Sequence, residues 1–281
     1  MNELHPLQIE PLVIKAIQED WGHADWTTDL CVPSDVTANA KIICKQQEMT
    51  LAGIELAEMT FNLVDSDLRI EKKFSNGDSV KQGDEILVVT GNARSILKAE
   101  RVALNFLGRL CGVASYTKAL VNAIDGTGAE VLDTRKTTPG LRLLEKTASA
   151  LGGARNHRVS LTDGVMLKEN HIRAAGGITA GISRLVESLP PTIKIEVETT
   201  TLDEVQEALD AGADIIMLDN MSLKEMKMAV RTVQKRAKLE ASGNVTLENI
   251  REVAMTGVDF ISTSSMFHSS KGADLSLLFE V

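Results

Sequence analysis

From about residue 129 the chain alternates short apolar runs with amphipathic segments, and this alternation restricts the fold more than any other feature. EVLD precedes LRLLEKTASALGG, VMLK precedes ITAGISRLVESL, and IKIEVE precedes LDEVQEALDAG. DIIMLD then leads to SLKEMKMAVRTVQKRA, LEAS leads to TLENIREVAMTG, and VDFIS closes the series. Strand-length runs separated by helical periods read as a parallel sheet with helices packed on it. Six runs are two short of an eight-unit barrel, so the expectation is an incomplete parallel α/β barrel of about six strands.

A polar residue ends each run: Asp133, Lys168, Glu198, Asp219, Ser242 and Ser262. In such barrels the carboxyl ends of the strands share one face, and that face carries the active site. The six polar tips are therefore expected to converge on one mouth.

The first part of the chain is less regular. Residues 7–19 carry mostly helical apolar spacing broken at Pro11, VTANAKIICKQ and LRIEKKF read as strands, and LAGIELAEMTFNLV reads as a helix. NGDSVKQGDEILVVTG has two Gly-Asp turns and is similar to the hairpin of biotinyl and lipoyl carrier domains. A carrier needs an exposed lysine at the hairpin tip, whereas Lys98 falls in ARSILKAERVALNFL, whose spacing is helical. The plainer reading is a sandwich-like α/β domain over residues 1–110 and the barrel over 111–269, with 270–281 packing back on the first domain.

Composition removes several classes of function. Aromatics are 3% of a chain with net charge −9, which argues against the basic, aromatic faces of nucleic-acid binders. No run of about 18 apolar residues occurs, and MNELHPLQIE lacks the pattern of a signal peptide, so a cytoplasmic location is expected. Cys31, Cys44 and Cys111 show no CxxC spacing; they are expected as small core residues rather than a disulfide framework or zinc site.

Within this acidic chain, Asp133 to His171 holds seven Lys/Arg against four Asp/Glu. Exposed charges are screened beyond roughly 8 Å, so a local positive pocket survives on an acidic protein. Arg135, Lys136, Arg158 and Lys168, at or near strand tips, suit a ligand with several negative charges, arginine supplying the bidentate geometry for carboxylate or phosphate. Arg142, Lys146 and Arg155 read instead as solvated surface charges. Glu198 and Asp219 end strongly apolar runs, and a carboxylate pair there suits ribose hydroxyls or a Mg²⁺ held jointly with a diphosphate; pairing with nearby lysines is the alternative. Ser242, Gly243 and Asn244 precede a helix, where backbone N–H groups can cradle phosphate. His157 reads as a contact that orients a carboxylate, as a general acid or as a structural residue, and His171 either as a direct substrate contact or as a residue that orients the loop after Lys168.

LDTRKTTPGLR, GGARNHRVSLTDGVMLKENHI, IEVE, AGADIIMLDN, SGNVT and GVDFIS, in this order, resemble the quinolinate phosphoribosyltransferases, also called nicotinate-nucleotide pyrophosphorylases (decarboxylating). EDWGHADWTTDL and AERVALNFLGRLCGVAS extend the resemblance over nearly the whole chain. It implies a homodimer in which the N-terminal domain of one subunit covers the barrel mouth of the other. The implied reaction joins quinolinate to 5-phosphoribosyl-1-diphosphate with Mg²⁺, giving nicotinate mononucleotide, CO₂ and diphosphate in NAD biosynthesis. It assigns Arg135, His157, Arg158 and Lys168 to quinolinate, with Arg101 reaching in from the other subunit. Lys136, Glu198 and Asp219 would hold the donor and its metal, and Ser242 and Gly243 its 5-phosphate. The family pattern has a glycine where this chain has Ser264, which leaves Ser264, after Ser262, as a candidate phosphate contact. Rival readings are a transferase for nicotinate or another heteroaromatic acid, and a non-enzymatic carrier or binding module.

Overall fold

The computed structural model describes residues 4–280. It divides into two compact units: residues up to Lys118, Thr147–Gly152 and Ser269 onward form one, and Ala119–Lys146 with Gly153–His268 form the other. The expected division at residue 110 and the change of unit after Lys118 both fall within the one helix Ala93–Ala123.

The first unit begins with α1 (Pro6–Trp21), α2 (Trp26–Cys31), β1 (Thr37–Cys44) and β2 (Glu48–Thr50). It continues with α3 (Ile54–Val64), β3 (Arg69–Lys72), β4 (Ser79–Lys81), β5 (Glu85–Asn92) and α4 (Ala93–Ala123). Helix α1 runs through Pro11 rather than stopping there, with Pro6 opening it and the His5 imidazole accepting from the Leu7 N–H. β1 alternates buried and half-buried residues, the pattern of a strand with one face on a core. That core includes Ile42, Ile54, Phe61, Leu87, Ile96 and Leu107. The segment that resembles a carrier hairpin does not pair with itself: β4 pairs with β2, and β5 lies between β1 and β3. Lys98 is on α4, ion-paired with Asp29 at 2.6 Å.

The second unit carries the alternation seen in the sequence. Its elements are β6 (Glu130–Leu132), α5 (Arg142–Leu151), β7 (Val165–Leu167), α6 (Glu169–Ala175), α7 (Ile178–Ser188) and β8 (Ile195–Thr199). They are followed by α8 (Leu202–Asp210), β9 (Ile215–Asp219), α9 (Leu223–Val233), β10 (Lys238–Ser242), α10 (Ile250–Ala254), β11 (Phe260–Ser262) and α11 (Ser265–His268). The sheet order is β6-β11-β10-β9-β8-β7, with every pairing parallel. β6 and β7 do not pair, so the barrel is open there, as six runs imply. Arg155 bridges to Leu132 in parallel on the free side of β6, its N–H donating to Val131 O and its C=O accepting from Asp133 N.

The chain ends by returning to the first unit as β12 (Leu275–Glu280), antiparallel to β1 from Asn39↔Glu280 to Cys44↔Leu275. The approach to this strand crosses α4 at two glycines. Ala273 N donates to Gly108 O at 2.8 Å, and a Cβ on Gly112 would lie 2.1 Å from Lys271 O.

Cys44 and Cys111 are core residues, but Cys31 is exposed at the end of α2, contrary to expectation. All three are free thiols. Among the described residues, no helix is long and apolar enough to cross a membrane.

Candidate active site

The six strand tips meet in one pocket of about 410 Å³. The reason is the twofold alternation of a strand: residues two apart face the same side. Lys168, Glu198, Asp219 and Ser242 form one ring at the mouth, and Met166, Glu196, Met217 and Glu240, each two residues earlier, form a second ring below. Most of both rings, with Ser262 and Asp133, line the same pocket. An open groove of about 640 Å³ in the first unit, between Trp21 and Lys98, is also charged, but its cations Arg94 and Lys98 are both paired with Asp29.

Arg135, Lys136, His157 and Arg158 join the lining from the connections after β6 and before β7. Arg135 Nε is buried and has no hydrogen-bond partner among the described residues. Arg158 donates to Gly164 O at 2.9 Å. Burial, then the neighbouring charge of Arg135, lowers the pKa of its guanidinium. Lys136 is exposed, with its ammonium unpaired among the described residues. Two crowded guanidinium groups with an orphan N–H are costly unless an anion meets them, and an anion relieves both costs.

Lys168 Nζ is 2.7 Å from Glu198 Oε2, joining the tips of β7 and β8. His171 Nδ1 accepts from the Lys168 N–H at 3.1 Å, so it orients this turn at the start of α6. The carboxylate of Asp219, on the neighbouring tip of β9, has no partner among the described residues. Oxygen donors from one or two carboxylates, completed by substrate phosphates, are what Mg²⁺ takes. Glu198 and Asp219 fit that requirement by their chemistry.

Ser242 and Gly243 open a tight turn rather than a helix, since α10 starts only at Ile250. Gly243 has φ +100°, and a Cβ there would lie 2.3 Å from Asn220 Oδ1. Asn244, at φ 50°, donates from its side chain to the same oxygen at 3.0 Å. Asn220, which sequence reasoning passed over, thus shapes the turn that lines the pocket.

The larger revision concerns Lys146. It is 1% exposed, not a solvated helix charge, and it is ion-paired with the fully buried Asp133. Its Nζ also donates to His157 O at 2.9 Å. Asp133 accepts from the His157 N–H at 2.8 Å and from Asn156 Nδ2 at 2.6 Å. Arg142 is likewise structural: it donates to Thr137 Oγ1, Val159 O and Arg135 O, tying together the two segments that carry the pocket's arginines. Arg155 is exposed and pairs with Glu130, as a surface charge should.

Two candidates are not part of this pocket. Ser264 is outside its lining, with its C=O accepting from the N–H groups of Phe267 and His268 in α11. Arg101 is exposed on α4 in the first unit.

A family model for the quinolinate phosphoribosyl transferase C-terminal domain matches residues 113–278, and one for the N-terminal domain matches 25–111. The chain belongs to the quinolinate phosphoribosyl transferase family. A Synechocystis sp. relative described as a probable nicotinate-nucleotide pyrophosphorylase [carboxylating] is 43% identical, covering 96% of this chain and 92% of its own length. The chloroplastic nicotinate-nucleotide pyrophosphorylase [carboxylating] of Arabidopsis thaliana is 42% identical, over 97% of this chain and 83% of the relative. The crystal structure of NadC from Streptococcus pyogenes superposes with a TM-score of 0.95 at 38% identity, covering 99% of both chains. The C-terminal family model spans all six strands that end in the barrel pocket.

Proposed function

We propose that the chain transfers the phosphoribosyl group of 5-phosphoribosyl-1-diphosphate to quinolinate with decarboxylation, forming nicotinate mononucleotide, CO₂ and diphosphate for NAD biosynthesis. The observation that carries this reading is the pair Arg135 and Arg158, crowded in one pocket with a buried N–H unpaired. With Lys168 beside them, they suit a dicarboxylate. At 4 Å and an effective dielectric of about 20, each such contact contributes roughly 4 kcal/mol before desolvation.

Lys136 at the rim and the Ser242–Gly243 turn are proposed to take the donor's phosphates. Glu198 and Asp219 would hold Mg²⁺ with the diphosphate, and the ion would supply charge stabilisation to the leaving group. As diphosphate departs, positive charge grows on the ribose, and carboxylates at the mouth stabilise it. The quinolinate nitrogen attacks the anomeric carbon. Loss of the adjacent carboxylate as CO₂ then leaves its electron pair on the ring carbon beside the positive nitrogen, and a proton from solvent completes nicotinate mononucleotide, so no covalent catalyst is required.

Quinolinate plus donor is expected to yield mononucleotide and CO₂ in equal amounts. Mononucleotide from nicotinate without CO₂ would favour the nicotinate-specific alternative, and no diphosphate release with any acid would sink the enzymatic reading.

The proposal includes a homodimer in which Arg101 completes the pocket of the partner. An inactive Arg101→Ala chain mixed with an inactive Lys168→Ala chain is expected to regain up to about a quarter of wild-type activity, since random pairing leaves one intact pocket in half of the dimers. Persistent inactivity of verified mixed dimers would remove the shared site. A cytoplasmic location belongs to the same reading, and three free thiols are compatible with a reducing compartment.

A further inference from the structure

The ring below the mouth contains two carboxyls that the reaction as described does not use. Glu196 is 3% exposed and Glu240 0%, and among the described residues Glu196 Oε1 and both oxygens of Glu240 have no hydrogen bond of ordinary geometry, although the Ser262 hydroxyl and the Glu196 carboxyl are near enough to act on Glu240. Polar groups left in that condition are expensive, and an apolar residue of similar size would avoid the cost. The residue they face is His157. Its Nε2 is 3.0 Å from Glu196 Oε2 and 3.7 Å from Glu240 Oε2. Its Nδ1 accepts from the backbone N–H of Arg158 at 2.7 Å, so in the neutral ring the hydrogen is on Nε2 and points at the carboxyls. With Asp133 and Lys146 fixing its main-chain N–H and C=O, the residue before Arg158 is held at every polar atom.

We propose that Glu240 is a positioning residue for quinolinate binding: backing the Glu196–His157 pair, it holds the imidazole against the pocket wall that carries Arg158. This rests on the quinolinate reading above. Glu240 does so in its uncharged form. Burial, and then the charge of Glu196, pushes its pKa up to about 8, against the opposing effects of His157 and the Ser262 hydroxyl. Those are the groups that face it: Glu196 from β8, His157 from the connection before β7 and Ser262 from β11, while its register partner on β9 is the apolar Met217. While protonated, the Glu240 carboxyl leaves the closer Glu196 Oε2, at 3.0 Å, to hold the Nε2 hydrogen. Above about pH 8, a second carboxylate competes for the same hydrogen and draws the ring from its position.

Steady-state kinetics of the intact enzyme, Glu240→Gln and Glu240→Leu from pH 6 to 9 test this. Glu240→Gln mimics the uncharged carboxyl. It is expected to keep the wild-type KM for quinolinate at pH 7 and to lose the rise in KM that the wild type shows through about pH 8. Glu240→Leu is expected to raise that KM about tenfold, with kcat and the KM for the donor changed less than twofold. Unchanged quinolinate KM in Glu240→Leu, or an unaltered pH inflection in Glu240→Gln, overturns the proposal. Should Glu240→Leu not fold, the Glu240→Gln profile decides alone. Should the wild type not turn over quinolinate at all, the functional reading fails, and ¹⁵N chemical shifts of the His157 ring still decide the positioning. Nε2–H is expected in wild type and Glu240→Gln up to about pH 8, and a wild-type ring signal insensitive to Glu240 would overturn it.

Discussion

Replacing Arg158 by Ala is expected to lower kcat/KM for quinolinate about a thousandfold while leaving the KM for 5-phosphoribosyl-1-diphosphate within about twofold. Removing one partner of a buried, hydrogen-bonded charge pair costs roughly 2–5 kcal/mol, and about 4 kcal/mol corresponds to three decades. The loss falls on quinolinate because the guanidinium lies with Arg135 in the dicarboxylate part of the pocket, whereas the donor's proposed contacts are Lys136 and the Ser242–Gly243 turn. Arg158→Lys keeps the charge but loses the planar fork, so it should fall between the two. Steady-state kinetics with each substrate varied in turn separate these outcomes. Equal losses for both substrates would mean that Arg158 acts through the loop it braces at Gly164 rather than on the acid.

The second large effect is expected at Lys146, a residue that touches neither proposed substrate. Burial pushes its pKa down against the pull of Asp133, yet both groups are in the interior, and each compensates the other. Lys146→Met leaves Asp133 as an uncompensated buried charge, which typically costs about 3–5 kcal/mol. Thermal unfolding should shift down by about 10 °C, and activity should fall further because Asp133 and Lys146 together hold the main chain of His157. Combining Lys146→Met with Asp133→Asn removes both charges, so the double variant should be at least about 1 kcal/mol more stable than the two single effects predict by addition. Additive effects, each below about 1 kcal/mol, would refute this account of the pair.

These two residues illustrate what could be read from the chain beforehand. Arg158 was legible because it lies in a basic segment between strand-like runs, and Glu198 and Asp219 because a carboxylate at the end of an apolar strand has few places to point. The alternation that identified those tips also carried the lower ring: the first glutamate of IEVE faces the same side as the second, and the glutamate of LEAS faces with Ser242. That signal was present but unused. Lys146 was not legible, since on an amphipathic helix it looks like any solvated lysine, and its burial depends on Asp133, in a different element. Ser264 marks a different limit: following a strand tip in sequence says nothing about which way the next turn carries the side chain. The fold class was clear from the number of strand-like runs, but the filling of the barrel's open side by Arg155 depends on main-chain hydrogen bonds that no side-chain pattern encodes.

The last strand bears on how such a chain is made. Residues 275–280 complete the sheet that residues 37–44 begin, so β1 emerges from the ribosome some 230 residues before its neighbour on that side. Until residues 275–280 have been made, β1 presents an open hydrogen-bonding edge, the kind of surface on which nascent chains aggregate. Pairing this distant in sequence is also slow to form. Emergence of residues 275–280, rather than of the residues up to Lys118, is therefore the event that seals the first unit, and deletion of that segment exposes the edge permanently.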